Sequence, residues 1–419
     1  MSMQTTANNT PRIAVIGGGA AGMLAAAEAA RLGASVTLFE KNARLGKKLA
    51  ITGKGRCNVT NDCSPEDFIL SVPRNPRFLF AAINGFSSED TKAHFEALGV
   101  PLKTERGNRV FPVSDNAHDI VDAMIKDLKQ TGVKICHTAV TAVLYNEDKT
   151  AVRGVAYDGK EEAFERVIVC TGGLSYPGTG STGDGYRFAK DANIELTPTA
   201  PSLVPLVCAE TFCAEMMGLS LKNAALTVRD AKNKVIYEDF GEMLFTHFGV
   251  SGPMILSASA HLKKEEIASY TLHLDLKPAL DEKKLDNRIL SDLAENANKN
   301  MANTLGALLP AKMIPVMLRL ANIAPNVKCN SVTKEQRRAL LTHCKDLTIH
   351  VRGFRPISEA IITSGGVATK ALSPKSMQAK SVSGLYFAGE VIDVDGYTGG
   401  FNLQIAFSTA IAAARDAAL

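Results

Sequence analysis

Apolar positions fall into short runs and periodic stretches whose order already implies an architecture. Residues Ile13–Ile16 are an uninterrupted apolar run with β-branched members, as expected of a strand buried on both faces. The Ala-rich stretch behind it keeps helical spacing as far as Arg31 and is stopped by Gly33. "SVTLFE" then reads as a second strand that ends in Glu40. Two more buried strands are expected far along the chain, at Val167–Cys170 and in "GLYFAGE", which ends in Gly389 and Glu390. Between them the pattern changes. "AALTVRD", "KVIYEDF" and "SYTLHLDL", from about Leu196 to Asp275, predict strands. "DEKKLDNRILSDLAENANK" and "KEQRRALLTHC", from about Leu280 to His343, have helical spacing, and "LTIHVRGF" returns as a strand. The glycine turn "DGYTGG" feeds a last helix from about Asn402, with Asn402 as its N-cap.

The link between the first strand and the first helix carries G-x-G-x-x-G at Gly17, Gly19 and Gly22. Gly17 makes the tight turn, Gly19 lets a pyrophosphate approach the backbone, and Gly22 lets helix and strand pack closely. The helix N-terminus offers free N–H groups and about half a positive charge to phosphate. Glu40, eighteen residues past Gly22, suits the ribose hydroxyls. Strand, turn, helix, second strand and acid in one unit predict an ADP-containing dinucleotide; composition alone leaves FAD and NAD both open. A second G-x-G-x-x-G, at Gly178, Gly180 and Gly183, follows Pro177 instead of a strand and has no acid-ended strand after it. It predicts a loop that opens a helix near Tyr186, and no second nucleotide fold. Thr171 and Gly172 end a buried strand where the backbone can come close to the dinucleotide.

Composition narrows this picture without changing it. The chain's 419 residues call for two or three packed units. A net charge of +4 and the lack of an Arg/Lys stripe argue against nucleic acid, and no run is apolar enough to span a membrane. The polar first eleven residues read as a frayed tail, not a signal peptide. Eight cysteines without a C-x-x-C pair or zinc spacing point to reduced thiols in a cytoplasm and to no metal site. The loop "TGKGRCNVTN" (52–61) sets Gly53 and Gly55 for backbone approach, with Thr52 and Asn58 able to reach cofactor oxygens. Cys57 has no dithiol partner there and reads as a packing residue. Arg44, Lys47, Lys48, Lys54 and Arg56 form a basic cluster, and Arg44 or the Gly53–Arg56 backbone is the expected phosphate contact.

Together "GGGAAG" with Glu40, "TGKGRCNVTN", "RVFPVSD", "GGLSYPGTGSTGDGY", "LFTHFGVSGP" and "GLYFAGEVIDVDGYTGGFNLQ" resemble the BaiN-like FAD-dependent oxidoreductases, also described as the YhiN family of flavoproteins. The likeness spans roughly residues 12–415. It implies an α/β fold: a discontinuous, glutathione-reductase-type, Rossmann-like FAD-binding domain (1–195 and 356–419), an inserted β-barrel-like domain (196–277 and 346–355) and a small helical subdomain (278–345). Members of the family are linked to bile-acid enone reduction and to aminoacetone oxidation. The cofactor set expected here comprises Gly17, Gly19, Ala20, Ala21, Gly22, Glu40, Lys41, Arg44, Lys48, Thr52, Gly53, Gly55, Arg56, Cys57 and Asn58 in the first part. Val140, Thr171, Gly172 and Gly173 follow. Gly365, Gly366, Gly389, Glu390, Asp393, Gly399, Gly400, Phe401, Asn402 and Leu403 complete it. His247, Tyr176 and Tyr397 are the candidate catalytic residues. The expected activity is hydride transfer between a small organic substrate and flavin N5, as a reductase of an activated double bond or an oxidase of a small amine. NAD(P)H or oxygen would be the second partner. A flavin-binding sensor or an RNA-modification relative is the alternative.

Overall fold

The apolar run at the head of the chain forms strand β1 (Arg12–Ile16) in the computed structural model, which describes residues 10–419. Most of the polar leader, residues 1–9, lies outside the described residues. The last four residues of β1 are buried, as a strand covered on both faces must be. Helix α1 (Ala20–Arg31) follows, and its buried side is almost entirely Ala and Gly with Met23 and Leu24, which permits a close approach to the sheet. Further along, with other short elements between them, are strand β2 (Ser35–Phe39), helix α2 (Lys47–Ile51), strands β3 (Lys134–Cys136) and β4 (Arg166–Val169), helix α3 (Asp184–Asp191) and strand β5 (Leu196–Ser202). As the turn residues imply, no strand precedes Gly178: a single 3₁₀ turn, Pro177–Thr179, leads towards α3.

Residues Leu203–Pro356 form a compact unit of their own. Its strands are β6 (Leu206–Cys208), β7 (Ser220–Arg229), β8 (Val235–Thr246), β9 (Gly249–Ser251), β10 (Thr271–Asp275) and, after helices α4 (Glu282–Glu295) and α5 (Lys334–Lys345), β11 (Leu347–Phe354). They close a barrel in the order β6-β9-β8-β7-β10-β11, every pair antiparallel. Alternation along β7 and β10 sends Leu226, Val228, Leu272 and Leu274 inward. The helices join the same core through Leu285, Ile289, Leu340 and Cys344.

The other unit spans residues 10–202 and 357–419. Its last elements are strand β12 (Ile362–Val367), strand β13 (Leu385–Phe387) and helix α6 (Phe401–Ala417). A parallel sheet in the order β13-β4-β1-β2-β3 is its centre, with Ala14 of β1 level with Val167 of β4 and Thr37 of β2. The chain therefore returns at its end to complete the sheet that it began. β5 pairs antiparallel with β12, Ser202 opposite Ile362. Helix α6 is buried along most of its length and begins one residue earlier than expected. Gly400, in the left-handed region, is its N-cap, and Asn402 instead grips the turn before it, accepting from Gly396 N–H and donating to the Gly396 carbonyl, both at 2.8 Å.

Candidate functional site

At the carboxyl ends of β1, β4 and β13 the unit of residues 10–202 and 357–419 brings the motif residues together. Gly17 has φ +105°, and a Cβ there would lie 2.5 Å from the Cys170 carbonyl oxygen at the end of β4. A Cβ on Gly22 would sit 1.8 Å from the Gly17 carbonyl oxygen, so neither position tolerates a side chain. A Cβ on Gly19 would meet nothing within 4 Å, which leaves open space before the start of α1. That start has no side-chain cap, so its first-turn N–H groups are available to an anion. Glu40 is buried beside it: one carboxylate oxygen accepts from Gly18 N–H at 2.7 Å, the other from the Asn42 backbone and side chain at 2.7 and 2.6 Å.

A second cluster lies beside this one. Gly389, just past β13, comes so near α1 that a Cβ would be 3.0 Å from that of Ala21. The next residue, Glu390, accepts from Lys48 Nζ of α2 at 2.5 Å, from Ser175 Oγ at 2.6 Å and from Thr363 N–H at 3.0 Å. Thr363 Oγ1 in turn accepts from the N–H groups of Leu174 and Ser175. Tyr176, with φ +51°, is exposed, its ring 5.9 Å from Lys48 Nζ. Lys41 Nζ bonds Thr182 Oγ1 and Asp184 Oδ2, each at 2.6 Å. Sequence reasoning passed over Ser175, Thr363, Thr182 and Asp184. Short polar residues in glycine-rich loops carry no periodic signal, and only the "STGDG" run marked the last two.

The loop 52–58 is unusually bent: Gly53, Lys54, Gly55 and Cys57 all have positive φ. Two of these are not glycine, and such a conformation persists only where its surroundings impose it. The Arg56 guanidinium does so, binding Glu105 at 2.5 Å and Asp115 at 2.5 Å while lying 4.1 Å from the Phe111 ring centroid. Arg56 thus has acidic partners of its own, and Arg44 is exposed. Burial pushes the Cys57 thiol up to about 12. At the α6 end, Asn61 Nδ2 donates to the Gly399 carbonyl at 3.0 Å, and a Cβ on Gly400 would lie 2.3 Å from the Thr60 carbonyl. Phe401 is buried edge-on to Phe68 at 5.1 Å, Leu403 packs on the core, and Tyr397 N–H donates to the Ser71 carbonyl.

Gly172 and Gly173 continue from Thr171, close enough that their Cβ atoms would reach Ser181 Oγ at 2.5 Å and Thr363 Oγ1 at 2.4 Å. Gly365 and Gly366 of β12 face the Pro198 and Val391 carbonyls in the same way, so packing alone accounts for them. Val140 opens a separate three-stranded sheet. His247 lies in the other unit, exposed after β8 and edge-on to Phe248 at 4.9 Å. That unit also holds a C-x₄-C pair the sequence reading overlooked, Cys208 and Cys213: Cys208 Sγ donates to the Leu206 carbonyl at 3.7 Å, and the neighbouring Cys213 and burial raise the Cys208 thiol. All eight cysteines are free.

The model of the HI0933-like protein Rossmann domain matches residues 11–416. The chain belongs to this family. HI0933-like relatives include the "3-dehydro-bile acid delta(4,6)-reductase" of Clostridium scindens, 32% identical over 97% of this chain and 99% of that protein. The "Ribosomal RNA dihydrouridine synthase" of Escherichia coli K12 is 31% identical over 96% of each chain. Among solved structures, a 3-ketosteroid-delta4-(5alpha)-dehydrogenase from Rhodococcus jostii RHA1 superposes with a TM-score of 0.52 at 15% identity, covering 98% of each chain, a likeness of fold. The chain is thus an FAD-family, Rossmann-type oxidoreductase fold with an inserted barrel. Among the described residues no helix is long and apolar enough to cross a membrane.

The residues present fit FAD. Among the described residues of this unit, five buried polar atoms lack a partner: Asn58 Oδ1, Thr171 Oγ1 and Asp393 Oδ1, which belong to the set expected to touch the cofactor, and His94 Nε2 and Tyr186 OH, which do not. Buried polar atoms are ordinarily satisfied, so three orphans among the residues expected at the cofactor suit a polar ligand.

Proposed function

We propose that this HI0933-like protein transfers a hydride from reduced FAD to a carbon–carbon double bond conjugated with a carbonyl group. The observation that carries this reading is the chemistry shared by two relatives of near-equal similarity. A 3-oxo steroid with double bonds at positions 4 and 6 is a conjugated enone. Uridine becomes dihydrouridine by saturation of the ring double bond next to a carbonyl. The carriers differ greatly; the electron-poor double bond is common to both. Bound FAD supplies the hydride at N5.

In this reading the chain's own groups bind and orient. Glu40 holds the ribose, the open N-terminus of α1 faces the pyrophosphate, and Asn58, Thr171 and Asp393 take the remaining polar contacts. The uncapped N-terminus of α6 supports negative charge on the reduced ring, worth about 0.3–2 kcal/mol. NAD(P)H is the reductant, and a tyrosine, Tyr176 or Tyr397, returns the proton. A small free molecule is the first candidate carrier of the double bond. A uracil within RNA is the second, favoured by the distribution of charge described below.

Anaerobic mixing tests the reading. NADH or NADPH is expected to bleach the flavin, and a conjugated enone, but not its saturated ketone, to restore the yellow absorbance with a gain of two hydrogens in the product. Restoration by oxygen alone would sink it.

A further inference from the structure

The modest charge of the whole chain conceals an uneven distribution. Outside residues 203–356 the sequence holds 27 Lys/Arg and 27 Asp/Glu, so the entire excess of +4 belongs to the barrel-and-helix unit. Within it, Ala311–Pro356 carries nine Lys/Arg against two acids, Glu335 and Asp346. Several of these cations are engaged: Arg319 pairs with Glu215, Arg337 with Asp286, and Lys345 with Asp275. Lys312 donates to the Met217 carbonyl.

Others are not. Lys299, Lys328, Lys334 and Arg338 are exposed and have no ion pair or side-chain hydrogen bond among the described residues. The backbone puts them at one end of the helical part. An antiparallel bridge joins Asn300 to Lys328, and Cys329 N–H donates to the Lys299 carbonyl at 3.0 Å, which sets Lys299 beside Lys328. The 3₁₀ turn Cys329–Ser331 then leads directly into α5, capped by Thr333. Lys334 and Arg338, four apart, share the face of α5 turned away from its buried Leu340 and Cys344. The acids nearest in sequence are Glu335 and Glu295, both exposed. Four unpaired cations along a short path match a run of phosphates better than a single small anion. They also lack the apolar centre that a protein partner would bury.

We propose that this end of the helical subdomain, Lys299, Lys328, Lys334 and Arg338, docks the phosphate backbone of RNA. The inference rests on the reading that the reducible double bond is carried by a uracil, and it supplies that reading with a surface to hold the polymer.

The test is anisotropy of a short fluorescein-labelled RNA stem-loop titrated with the flavin-loaded protein, compared across salt concentrations. The triple variant K328Q/K334Q/R338Q is expected to weaken binding at least ~tenfold and to lower the salt slope by about 2, with three phosphate contacts removed. The same charge change at exposed Lys222, Lys232 and Lys234 is expected to leave binding near wild type. Unchanged flavin absorbance and melting temperature confirm that both variants fold. The proposal is overturned if the wild-type protein does not bind the RNA at low salt, if the first variant binds as tightly, or if both variants weaken equally. Reduction of a small conjugated enone is measured alongside. If it persists while RNA binding is absent, the docking face falls and the reaction class stands.

Discussion

At the scale of single residues, burial decides what the thiols and imidazoles can do. Cys57 stands in a loop with four positive-φ residues, beside Arg56, where a depressed pKa would make a nucleophile. It is fully buried instead, and its thiol is pushed up to about 12, so it remains protonated at neutral pH. Cys57→Ala should keep flavin content and turnover and cost about 1 kcal/mol of stability, read from denaturant unfolding; loss of turnover with flavin retained would restore a redox role. His94 shows the opposite sign. Burial first, then Arg31, lowers its pKa, and its Nε2 is buried without a partner. The folded state therefore holds it neutral while the unfolded chain takes up a proton below about pH 6.5. Its contribution is present above that pH and is lost as pH falls towards the folded value. Melting temperature should drop on acidification from about pH 7 to about pH 5, and His94→Phe should flatten that part of the slope. Equal slopes would remove His94 from the account. Glu40 was legible in the sequence because its spacing from Gly22 has a physical meaning. The partners of Glu390 were not, because Lys48, Ser175 and Thr363 meet only through the fold.

At the scale of elements, periodicity was a sound guide wherever one side of an element is buried. It marked β1, β2, β4, β7, β10 and both long helices of the inserted unit. It was silent on the irregular segments between elements, where much of the buried polar chemistry sits. Asp395 illustrates this. Its side chain is 0% exposed, held by Arg74 Nε at 3.1 Å and Ser202 Oγ at 2.7 Å, and so ties together the residues before Pro76, the end of β5 and the segment after β13. Burial raises its pKa against the pull of Arg74. Breaking a fully buried pair costs about 3–5 kcal/mol, but Arg74 is 38% exposed and screened. Arg74→Ala should therefore cost about 1–3 kcal/mol at neutral pH. Because the folded pKa is raised, protonation relieves the penalty: the gap to wild type should narrow as pH falls towards about 4. A gap that widens on acidification would contradict the assignment.

At the scale of the whole molecule, the decisive feature is that the first and last parts of the chain build one sheet. This was readable in advance because a strand, a glycine and an acid recur at both ends of the sequence, and a parallel strand buried on both faces has few other places to go. The charge of the inserted unit was hidden by averaging over the full length. The residues expected at the cofactor all lie up to Gly173 or from Gly365 onward, in the unit of residues 10–202 and 357–419; of the named candidates only His247 belongs to the insert. That unit has its own continuous core, and its two cut ends are adjacent, because Ser202 pairs with Ile362 across β5 and β12. Opposed residues of an antiparallel pair are about 4.5–5.5 Å apart, so a short Gly/Ser segment can replace Leu203–Pro356 without strain. The shortened protein should melt cooperatively and bind FAD, seen as a shifted flavin absorbance and quenched emission on titration. Because the chain has no tryptophan, indole emission does not interfere. Glu40→Ala in the same background should weaken that binding by about 1.5–3 kcal/mol, the worth of a hydrogen bond to a charged group. A shortened protein that folds but takes up no flavin would show that the cofactor needs the barrel, whereas one that binds flavin with or without Glu40 would remove that residue from the ribose.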